Sequence, residues 1–395
     1  MPTLLTAAGL LLALVVGFGQ VTKLFFPDSS MPKFLLDYRL AEGARIDAVA
    51  QDLGGIEKKL LADGRVEAVA SFIGAGPPRF YLPVDPEPLS PNYGQLVVNL
   101  HDHRHVGALM DELEPWLREH YPQAQVLLRP FAVGPGLTWK FEARISGPAS
   151  ASGDTLRALA AKGEAILGQS PLTGEAQTNW QQRVLKFEPL FNDARARWAG
   201  VTREDVVRSI KQSLEGWTIG VFNQEDEALP IVLRVKQDEV PGADIAALRD
   251  VQIRPANSAE NVPLDQVVDG VAVRWEDPII WRRDRKRTIT LQANPIRGVT
   301  LPTYMESLAP QFATLASELP PGYRMDWGGE YETSTKSQAS LIPGIVPAVG
   351  IMLIIIVGLF NALRPAAIIM LTIPFAVVGM TAGLLATGTP FGFVA

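Results

Sequence analysis

The stretch Leu341–Thr387, LIPGIVPAVGIMLIIIVGLFNALRPAAIIMLTIPFAVVGMTAGLLAT, decides the fold class. It carries one charged side chain, Arg364, between two apolar runs, Leu341–Leu363 and Pro365–Thr387. Each run has about 23 residues, and a helix of that length spans about 34 Å, which is enough to cross a hydrocarbon core of about 30 Å. The stretch therefore predicts two membrane-spanning helices, at 341–363 and 365–387.

A third apolar run, Leu4–Gly19, lies near the N-terminus. Extended to the boundary Lys23-Leu24-Phe25-Phe26, it predicts a first span at 1–25, with a lysine and aromatic rings at the interface. A cleaved signal peptide is the alternative. Because Arg364 favours the cytoplasmic side for the short turn that holds it, the long segment between the first and second spans is expected outside the cytoplasm.

Composition limits the function classes. The chain of 395 residues has a formal net charge of −6, which argues against nucleic acid as the main partner. It has no cysteine, and this excludes a disulfide framework and a thiolate metal site. About 315 residues lie between the first two spans, which is enough for two or three domains with their own cores.

The hydrophobic period in this middle segment alternates between two and 3.6 residues, and it does so twice. The first series, 32–135, predicts the order βαββαβ of a ferredoxin-like split unit. Its strands are expected at 33–40, 65–72, 95–100 and 125–131, and its helices at 44–62 and 106–119. The inward stripe of the first helix is Ile46, Val49, Leu53, Ile56 and Leu60. The second series, 136–185 with 286–330, has a strand at 138–146, a helix at 155–167, extended chain at 176–187, strands at 287–293 and 323–327, and a helix at 301–315.

An insertion at 186–285 interrupts the second series. Its Thr202-Arg203-Glu204-Asp205 is a capping box that begins a helix with Val206, Ile210 and Leu214 inward. The following strands flank an acidic tip and predict a projecting hairpin. This tip is either a solvated turn or a docking loop, and its candidate residues are Asn223, Gln224, Glu225 and Asp226.

Several short stretches occur in the order of a known family. They include Phe72-Ile73-Gly74-Ala75-Gly76, Asn261-Val262-Pro263-Leu264 and Trp327-Gly328-Gly329-Glu330-Tyr331. The chain resembles the second half of a resistance-nodulation-division (RND) efflux permease of the acriflavine-resistance (AcrB-like) type. The resemblance implies an α+β membrane protein with three transmembrane helices, two tandem ferredoxin-like βαβ porter subdomains (32–135, and 136–185 with 286–330) and an inserted α+β docking subdomain (186–285).

Such permeases are homotrimers in the bacterial inner membrane, with a large periplasmic domain. They pass lipophilic or amphiphilic compounds through a periplasmic adaptor protein to an outer-membrane channel. The resemblance thus implies that the partners are the rest of the permease, two further copies, the adaptor, the channel and membrane lipid, with no nucleic acid. The family's proton-relay residues lie on its fourth and tenth helices, which this chain lacks, so it is expected to depend on the remaining half for proton coupling.

The family's substrate path includes a glycine-containing switch loop beside aromatic rings, matched here by Phe72, Gly74 and Gly76. Phe80, Tyr81 and Tyr93 extend the candidate surface, since aromatic rings bind varied apolar ligands through area. Two features depart from the family pattern, namely Pro77-Pro78-Arg79 after the glycines and Val97 at a position where drug pumps often have an aromatic residue.

The sequence predicts no catalytic residues, no cofactor and no metal site. The histidines of His101-Asp102-His103-Arg104-His105 fall at a strand-to-helix junction, with no carboxylate at a fixed spacing, so they are interpreted as a helix entry. No phosphate-binding loop is present. The chain is therefore interpreted as a non-enzyme, part of a secondary transporter. The alternatives are a membrane-anchored periplasmic binding or adaptor protein and the permease of an ATP-driven exporter.

Overall fold

The computed structural model describes residues 17–19, 21, 29–84, 86–132, 138–233, 251–256, 260–387 and 391. The predicted first span, 1–25, lies almost entirely outside these residues. The described chain separates into two compact units. The first comprises the described parts of 1–182 and 277–395, and the second is Arg183–Glu276.

The first unit begins with a four-stranded antiparallel sheet in the order β2-β3-β1-β4. Two helices connect these strands in the sequence βαββαβ, the arrangement of a split βαβ unit. The elements are β1 (Lys33–Arg39), α1 (Ile46–Leu61), β2 (Val66–Ile73), β3 (Tyr93–Leu100), α2 (Arg104–His120) and β4 (Gln125–Pro130).

Alternation along β1 determines what each face of this sheet contacts. Phe34, Leu36 and Tyr38 point to the helices and are fully buried in a core with α1 and α2. On α1 the predicted inward stripe holds for Val49, Leu53, Ile56 and Leu60. Ile46, predicted inward, is 44% exposed because it begins the helix and lies at the edge of the core. The intervening residues of β1 face away from the helices.

A second antiparallel sheet follows in the same unit, with β5 and β14 in its centre. Its buried core contains Phe141, Tyr304 and Phe312, and the ring centre of Phe141 lies 5.5 Å from those of both other rings. Gly163 allows Leu291 to approach the helix, since a Cβ there would lie 2.2 Å from the leucine Cδ1. The elements are β5 (Phe141–Ser146), α3 (Gly153–Gln169), β6 (Thr173–Thr178), β13 (Arg282–Arg283), β14 (Lys286–Pro295), α6 (Leu301–Ser317) and β15 (Arg324–Gly328).

The segment 176–187, predicted as one extended stretch, contains parts of two strands. β6 ends at Thr178 and pairs with β14, whereas the next strand, Val184–Phe191, pairs with Val268–Glu276 in the second compact unit. Residues 277–285, which we predicted to lie in the insertion, belong to the first unit.

The second unit is a small α+β domain. Its core contains Val201, Val206 and Leu264, and the predicted capping box is present, with Thr202 Oγ1 accepting from the backbone N–H of Asp205. Leu214, predicted inward, is 60% exposed in the last turn of its helix. The elements are β7 (Val184–Phe191), α4 (Asp193–Trp198), α5 (Arg203–Glu215), β8 (Trp217–Gln224), β9 (Glu227–Leu233), β10 (Gln252–Ile253), β11 (Val262–Pro263) and β12 (Val268–Glu276).

Two apolar helices end the described chain, α7 (Gly329–Phe360) and α8 (Leu363–Thr387). By length and composition, α7 is the one helix among the described residues that is long and apolar enough to cross a membrane. Within α8 the apolar stretches Leu363–Thr372 and Val378–Thr387 are shorter. The three-span arrangement therefore stays a prediction.

Candidate functional site

The loop Gly74–Pro91 folds over the face of the first sheet that points away from the helices. Leu35, Val97 and Phe131 form a small buried cluster on this face, and Val84 of the loop is buried among them. Phe72 and Tyr81 pack against the same cluster. The loop thus covers an apolar surface to which all these side chains contribute, and we call this surface the covered face.

Backbone hydrogen bonds hold the ends of the loop. The amide of Gly74 donates to the carbonyl of Tyr93 at 2.8 Å, and the amide of Ser90 donates to the carbonyl of Gly74 at 2.8 Å. Gly74 has a φ of +79°, a conformation that favours glycine. In the middle of the loop, the Tyr81 hydroxyl donates to the carbonyl of Ala132 at 2.8 Å. The loop is therefore fixed at both ends and at Tyr81.

A buried ion pair lies on the covered face. Asp37 points there from β1, and its Oδ2 accepts from Nε of Arg129 on β4 at 2.6 Å. The other oxygen of Asp37, Oδ1, accepts from the Tyr93 hydroxyl at 2.6 Å and from Nε2 of Gln95 at 2.5 Å. Three donors from two neighbouring strands thus satisfy one buried carboxylate.

The surroundings keep this pair ionised. Burial alone raises the pKa of Asp37, but the charge of Arg129 and the three hydrogen bonds outweigh it, and the pKa lies below its ordinary value. Burial, followed by the charge of Asp37, raises the pKa of Tyr93, so its hydroxyl stays protonated and donates. The covered face thus contains a carboxylate whose charge is already neutralised.

One nitrogen of the Arg129 guanidinium has no acceptor among the described residues. Nη1 of Arg129 donates to Oγ1 of Thr138 at 3.0 Å, but its buried Nη2 has no hydrogen-bond partner among the described residues. A buried donor without an acceptor costs about 1–3 kcal/mol. Nη2 is therefore a donor that an acceptor group entering the covered face can satisfy.

The loop closes over this pair through Glu87 and Gly76. Glu87 Oε2 lies 3.4 Å from Nη2 of Arg39, whose guanidinium lies 4.7 Å from the centre of the Tyr93 ring. A Cβ on Gly76 would lie 3.2 Å from the backbone nitrogen of Glu87 and 3.4 Å from Oε1 of Gln95. A glycine at this position lets the loop lie close to the strand.

The structure brings most of the predicted path residues together. Phe72, Tyr81 and Tyr93 contribute side chains to the covered face, and Gly74 and Gly76 lie in the loop that closes it. Phe80 lies at the rim, 51% exposed, with its ring centre 6.0 Å from that of Phe131.

Asp37, Gln95 and Arg129 were not among the residues predicted from the sequence. The signal was a lone charge within an otherwise apolar strand, in Phe34-Leu35-Leu36-Asp37 and in Val126-Leu127-Leu128-Arg129. A charge at such a position is buried only when it has a partner.

A second feature is a cavity of about 550 Å³ between the beginning of β4, helix α3 and strand β6. Its walls are mostly polar, and Arg157, Glu164 and Glu175 are its charged groups. Nη2 of Arg118 on α2 contacts Glu175 of β6 at 2.9 Å and Glu114 at 2.8 Å. The pair with Glu175 joins helix α2 of the first sheet to strand β6 of the second beside the cavity, whereas the pair with Glu114 lies within α2.

The predicted docking residues lie in the β8–β9 hairpin of the second compact unit. Asn223 and Gln224 end β8, and Glu225 and Asp226 form the turn, where Glu225 has a φ of +51°. Eight large apolar side chains on this hairpin are exposed: Trp217, Ile219, Val221, Phe222, Leu229, Ile231, Val232 and Leu233. An isolated two-stranded hairpin is marginally stable in water, so this one is typical of a surface that a partner covers.

The histidine cluster lies at the entry to α2. His103 Nδ1 lies 3.3 Å from Asp102, and both side chains are largely exposed. Among the residues that the structure describes, no group of three or more His, Cys, Asp or Glu side chains is arranged to hold a metal ion.

Ion pairs fix the beginning of α7 to the second sheet. Glu332 in its first turn contacts Arg144 of β5, Arg283 of β13 at 3.1 Å and Lys336 one turn later at 2.5 Å. The Lys336 hydrogen bond, followed by that of Arg144, lowers the pKa of Glu332 to about 2 despite partial burial. The amide of Glu330 donates to the carbonyl of Lys140 at 3.0 Å. The apolar helix is thus attached directly to a folded sheet.

The described chain has two antiparallel β-sheets with packed helices, a long apolar helix attached to one sheet, and a loop over an apolar face of the other. This arrangement defines a mixed α/β protein of the RND permease fold. Residues 1–395 match the model of the AcrB/AcrD/AcrF family, and the chain belongs to that family.

The chain is also similar to characterised relatives. It is 24% identical over 250 residues to the nickel and cobalt resistance protein CnrA of Cupriavidus metallidurans, and the match covers 61% of this chain and 22% of the relative. The cobalt-zinc-cadmium resistance protein CzcA of the same organism is 25% identical over 249 residues, with the same coverage. The matched part of the chain thus spans about a fifth of the length of these relatives.

The crystal structure of a heavy metal efflux pump, crystal form II, superimposes with a TM-score of 0.79. The superposition covers 98% of this chain and 39% of that pump at 19% sequence identity. At this identity the likeness shows the fold alone.

Proposed function

We propose that the chain is part of a proton-driven RND efflux transporter that exports lipophilic or amphiphilic organic compounds across the bacterial inner membrane. The covered face carries this proposal. It combines apolar area from Leu35, Phe72 and Phe131 with two glycines at the beginning of the loop that covers it. Opening such a loop exposes an apolar surface with one spare donor, which fits a mainly apolar ligand that has an acceptor group.

The same face favours an organic substrate over a metal ion. CnrA and CzcA are named for resistance to nickel, cobalt, zinc and cadmium. The buried acid on the covered face, Asp37, is neutralised by Arg129 and saturated by Tyr93 and Gln95. A carboxylate in that state has no free charge for a cation, and a guanidinium beside it repels one.

The remaining parts of the proposal concern assembly. The two sheets of the first compact unit are the porter subdomains, the second compact unit, Arg183–Glu276, is the docking subdomain, and the membrane part comprises three spans. The exposed apolar hairpin supports docking to an adaptor or an outer-membrane channel in a trimeric complex. Proton relay is assigned to the rest of the permease, since the predicted spans 341–363 and 365–387 have no titratable residue in their interior.

Dye export tests the proposal. The chain is produced together with the remaining permease half in a host that lacks its own pumps, and accumulation of a lipophilic dye is measured with and without a protonophore. We expect export that stops when the proton gradient is removed. Phe72→Ala should change which dyes are exported, because it removes ring area from the covered face. Leu89→Ala is the matched control in the same loop, since Leu89 is 88% exposed.

Metal tolerance is measured in the same cells. Equal dye accumulation with and without the permease, combined with a gain in nickel, cobalt or zinc tolerance, would show that the substrate is a metal ion. If Phe72→Ala exports every dye as the parent does, the covered face is not part of the transport path.

A further inference from the structure

A strongly basic hairpin lies at the edge of the second sheet, in the first compact unit. Its sequence, Trp281-Arg282-Arg283-Asp284-Arg285-Lys286-Arg287, has five basic residues and one acid. The chain as a whole has a net charge of −6, so this segment has the charge opposite to that of the protein. We call residues 281–287 the basic hairpin.

Contacts with the sheet hold the basic hairpin in place. Its two short strands pair antiparallel, and the amide of Thr288 donates to the carbonyl of Trp281 at 3.0 Å. The indole N–H of Trp281 donates to the carbonyl of Asn179 at 2.9 Å. Asp284 and Arg285 form the turn, with φ values of +50° and +64°. The positive charges therefore lie on a fixed turn and not on a free loop.

Three of the five basic side chains are free. Arg282, Arg285 and Lys286 are exposed, and their side chains form no ion pair or hydrogen bond among the described residues. Arg283, by contrast, is paired with Glu332 at the beginning of α7. Cations that are held close together repel one another, so an anionic partner stabilises this arrangement.

Exposed apolar side chains precede the charges. Ile279, Ile280 and Trp281 are 42%, 44% and 50% exposed. Basic residues next to an exposed tryptophan and aliphatic side chains are typical of segments at a membrane surface, where the tryptophan ring lies at the level of the headgroups. This combination distinguishes the basic hairpin from a solvated charged turn.

The basic hairpin lies beside the helix that is apolar enough to cross a membrane. Nη2 of Arg283 contacts Glu332 at 3.1 Å, and the apolar run of α7 begins nine residues later, at Leu341. Nine residues correspond to about 14 Å of helix, and the headgroups occupy about 5–7 Å beyond the hydrocarbon core. With α7 in a membrane, Arg283 is about 8 Å from the headgroups, which is about one Debye length at physiological salt.

We propose that the basic hairpin binds the anionic headgroups of phospholipids in the membrane that α7 enters. Arg282, Arg285 and Lys286 attract the phosphate groups, and Trp281 contacts the headgroup region. The contact supports the second sheet on the membrane surface beside α7. For the placement of α7 in a membrane this proposal rests on the proposed function, but it does not depend on which compound is transported.

Other anionic partners fit the basic hairpin less well. A cavity of about 240 Å³ beside it has room for a small anion, but Glu142 lines this cavity, and two of its three arginines, Arg144 and Arg283, are already paired with Glu332. A nucleic acid would meet a chain with a net charge of −6. A lipid surface presents many phosphate groups at once and needs no shaped pocket.

Hydrogen exchange of the full chain in lipid nanodiscs tests the proposal. The chain is reconstituted in discs of phosphatidylcholine alone and in discs with equal parts of phosphatidylcholine and phosphatidylglycerol, and the peptide that covers 281–287 is followed by mass spectrometry. We expect this peptide to exchange about tenfold more slowly in the discs that contain phosphatidylglycerol. High salt should remove the difference, because it screens exposed charges.

A triple variant removes the three free charges. In Arg282→Gln/Arg285→Gln/Lys286→Gln the peptide should exchange at the same rate in both kinds of disc. The matched control, Lys58→Gln/Lys211→Gln with Arg104→Gln, removes three exposed positive charges elsewhere on the chain and should keep the difference. Unchanged exchange from the central strand β5 shows that the second sheet of each variant is folded.

Three outcomes would overturn the proposal. They are equal exchange of the parent in both kinds of disc, an unchanged difference in the triple variant, and slower exchange caused by inorganic phosphate in discs of phosphatidylcholine alone. The last of these would make the partner a free anion. A peptide that covers 345–360 separates the two levels of the argument. If this part of α7 is protected while the basic hairpin exchanges freely, the lipid contact alone is wrong; if α7 also exchanges freely, the placement of α7 in the membrane is wrong as well.

Discussion

The buried pair Asp37–Arg129 gives a stability prediction that can be worked out from its contacts. In Arg129→Met the carboxylate stays buried and keeps two neutral donors, Tyr93 and Gln95, but loses its counter-ion. Breaking a buried ion pair on one side costs about 3–5 kcal/mol. Asp37→Asn should cost a similar amount because it leaves the charge of Arg129 unpaired.

The double variant with both substitutions should be much less destabilised than the sum of the single variants. An asparagine at position 37 keeps an acceptor for Tyr93 and Gln95, and no charge remains to be solvated. We expect a cost of about 1–2 kcal/mol, which corresponds to a coupling free energy of several kcal/mol between the two positions.

Amide hydrogen exchange detected by mass spectrometry measures these changes in stability strand by strand. Peptides that cover Lys33–Arg39 and Gln125–Pro130 report the opening of β1 and β4, and the peptide that covers Phe141–Ser146 in the second sheet is an internal control. Exchange from β1 and β4 should be about 150- to 4,000-fold faster in each single variant, the equivalent of 3–5 kcal/mol. Single variants that change exchange less than about fivefold, or effects that simply add, would refute the buried pair as described.

The stability that Asp37 contributes should rise with pH in the parent and fall with pH in Arg129→Met. In the parent the pKa of Asp37 is lower folded than unfolded, so its contribution is present above about pH 4 and is lost as pH falls through the folded value. Without Arg129, burial raises the pKa of the folded state. The contribution of Asp37 to stability is then greatest below about pH 4 and is lost as pH rises through that raised value.

Two further predictions concern the second sheet. Gly163→Ala should destabilise its core by about 1–3 kcal/mol, since the new Cβ would lie 2.2 Å from Cδ1 of Leu291. Gly168→Ala, with open space around position 168, is the control. Equal melting temperatures of the two variants would contradict the packing described for Gly163. Glu332 has a pKa of about 2 in the folded state, so the parent should lose stability as pH falls from about 4 to 2. In Glu332→Gln the melting temperature should depend less on pH between about 4 and 2. An unchanged loss of stability in this pH range would exclude Glu332 as the cause.

Much of the fold follows from local pattern. The alternation in Lys33–Arg39 and the helical stripe of Val49, Leu53, Ile56 and Leu60 are signals within a few residues, and the structure has these elements within two residues of the predicted bounds. Two residues predicted to face inward are exposed, Ile46 on α1 and Leu214 on α5. They lie in the first and last turns of their helices, where one side of the residue has no neighbour.

The site depends on contacts that no local pattern contains. Asp37 and Arg129 are 92 positions apart in the sequence, and they meet because β1 pairs with β4 in a register that places Asp37 opposite Leu127. The lone charges were visible in the sequence, but which charge pairs with which depends on strand order. For the same reason, no local pattern separated β6 from β7. The two strands pair with β14 and β12, which lie more than 75 residues further along the chain.

The attachment of α7 to the second sheet has a mechanical consequence. A helix of 32 residues is about 48 Å long. If α7 spans a membrane as proposed, about 30 Å of it lies in the hydrocarbon core and an arm of about 18 Å remains outside. Glu332 fastens this arm to the sheet, and Pro343 and Pro347, where helices bend, lie near the end of the arm. In the proposed permease, the pivot between the membrane and the sheet is thus at the two prolines, and a tilt of about 20° there would carry the sheet sideways by about 6 Å.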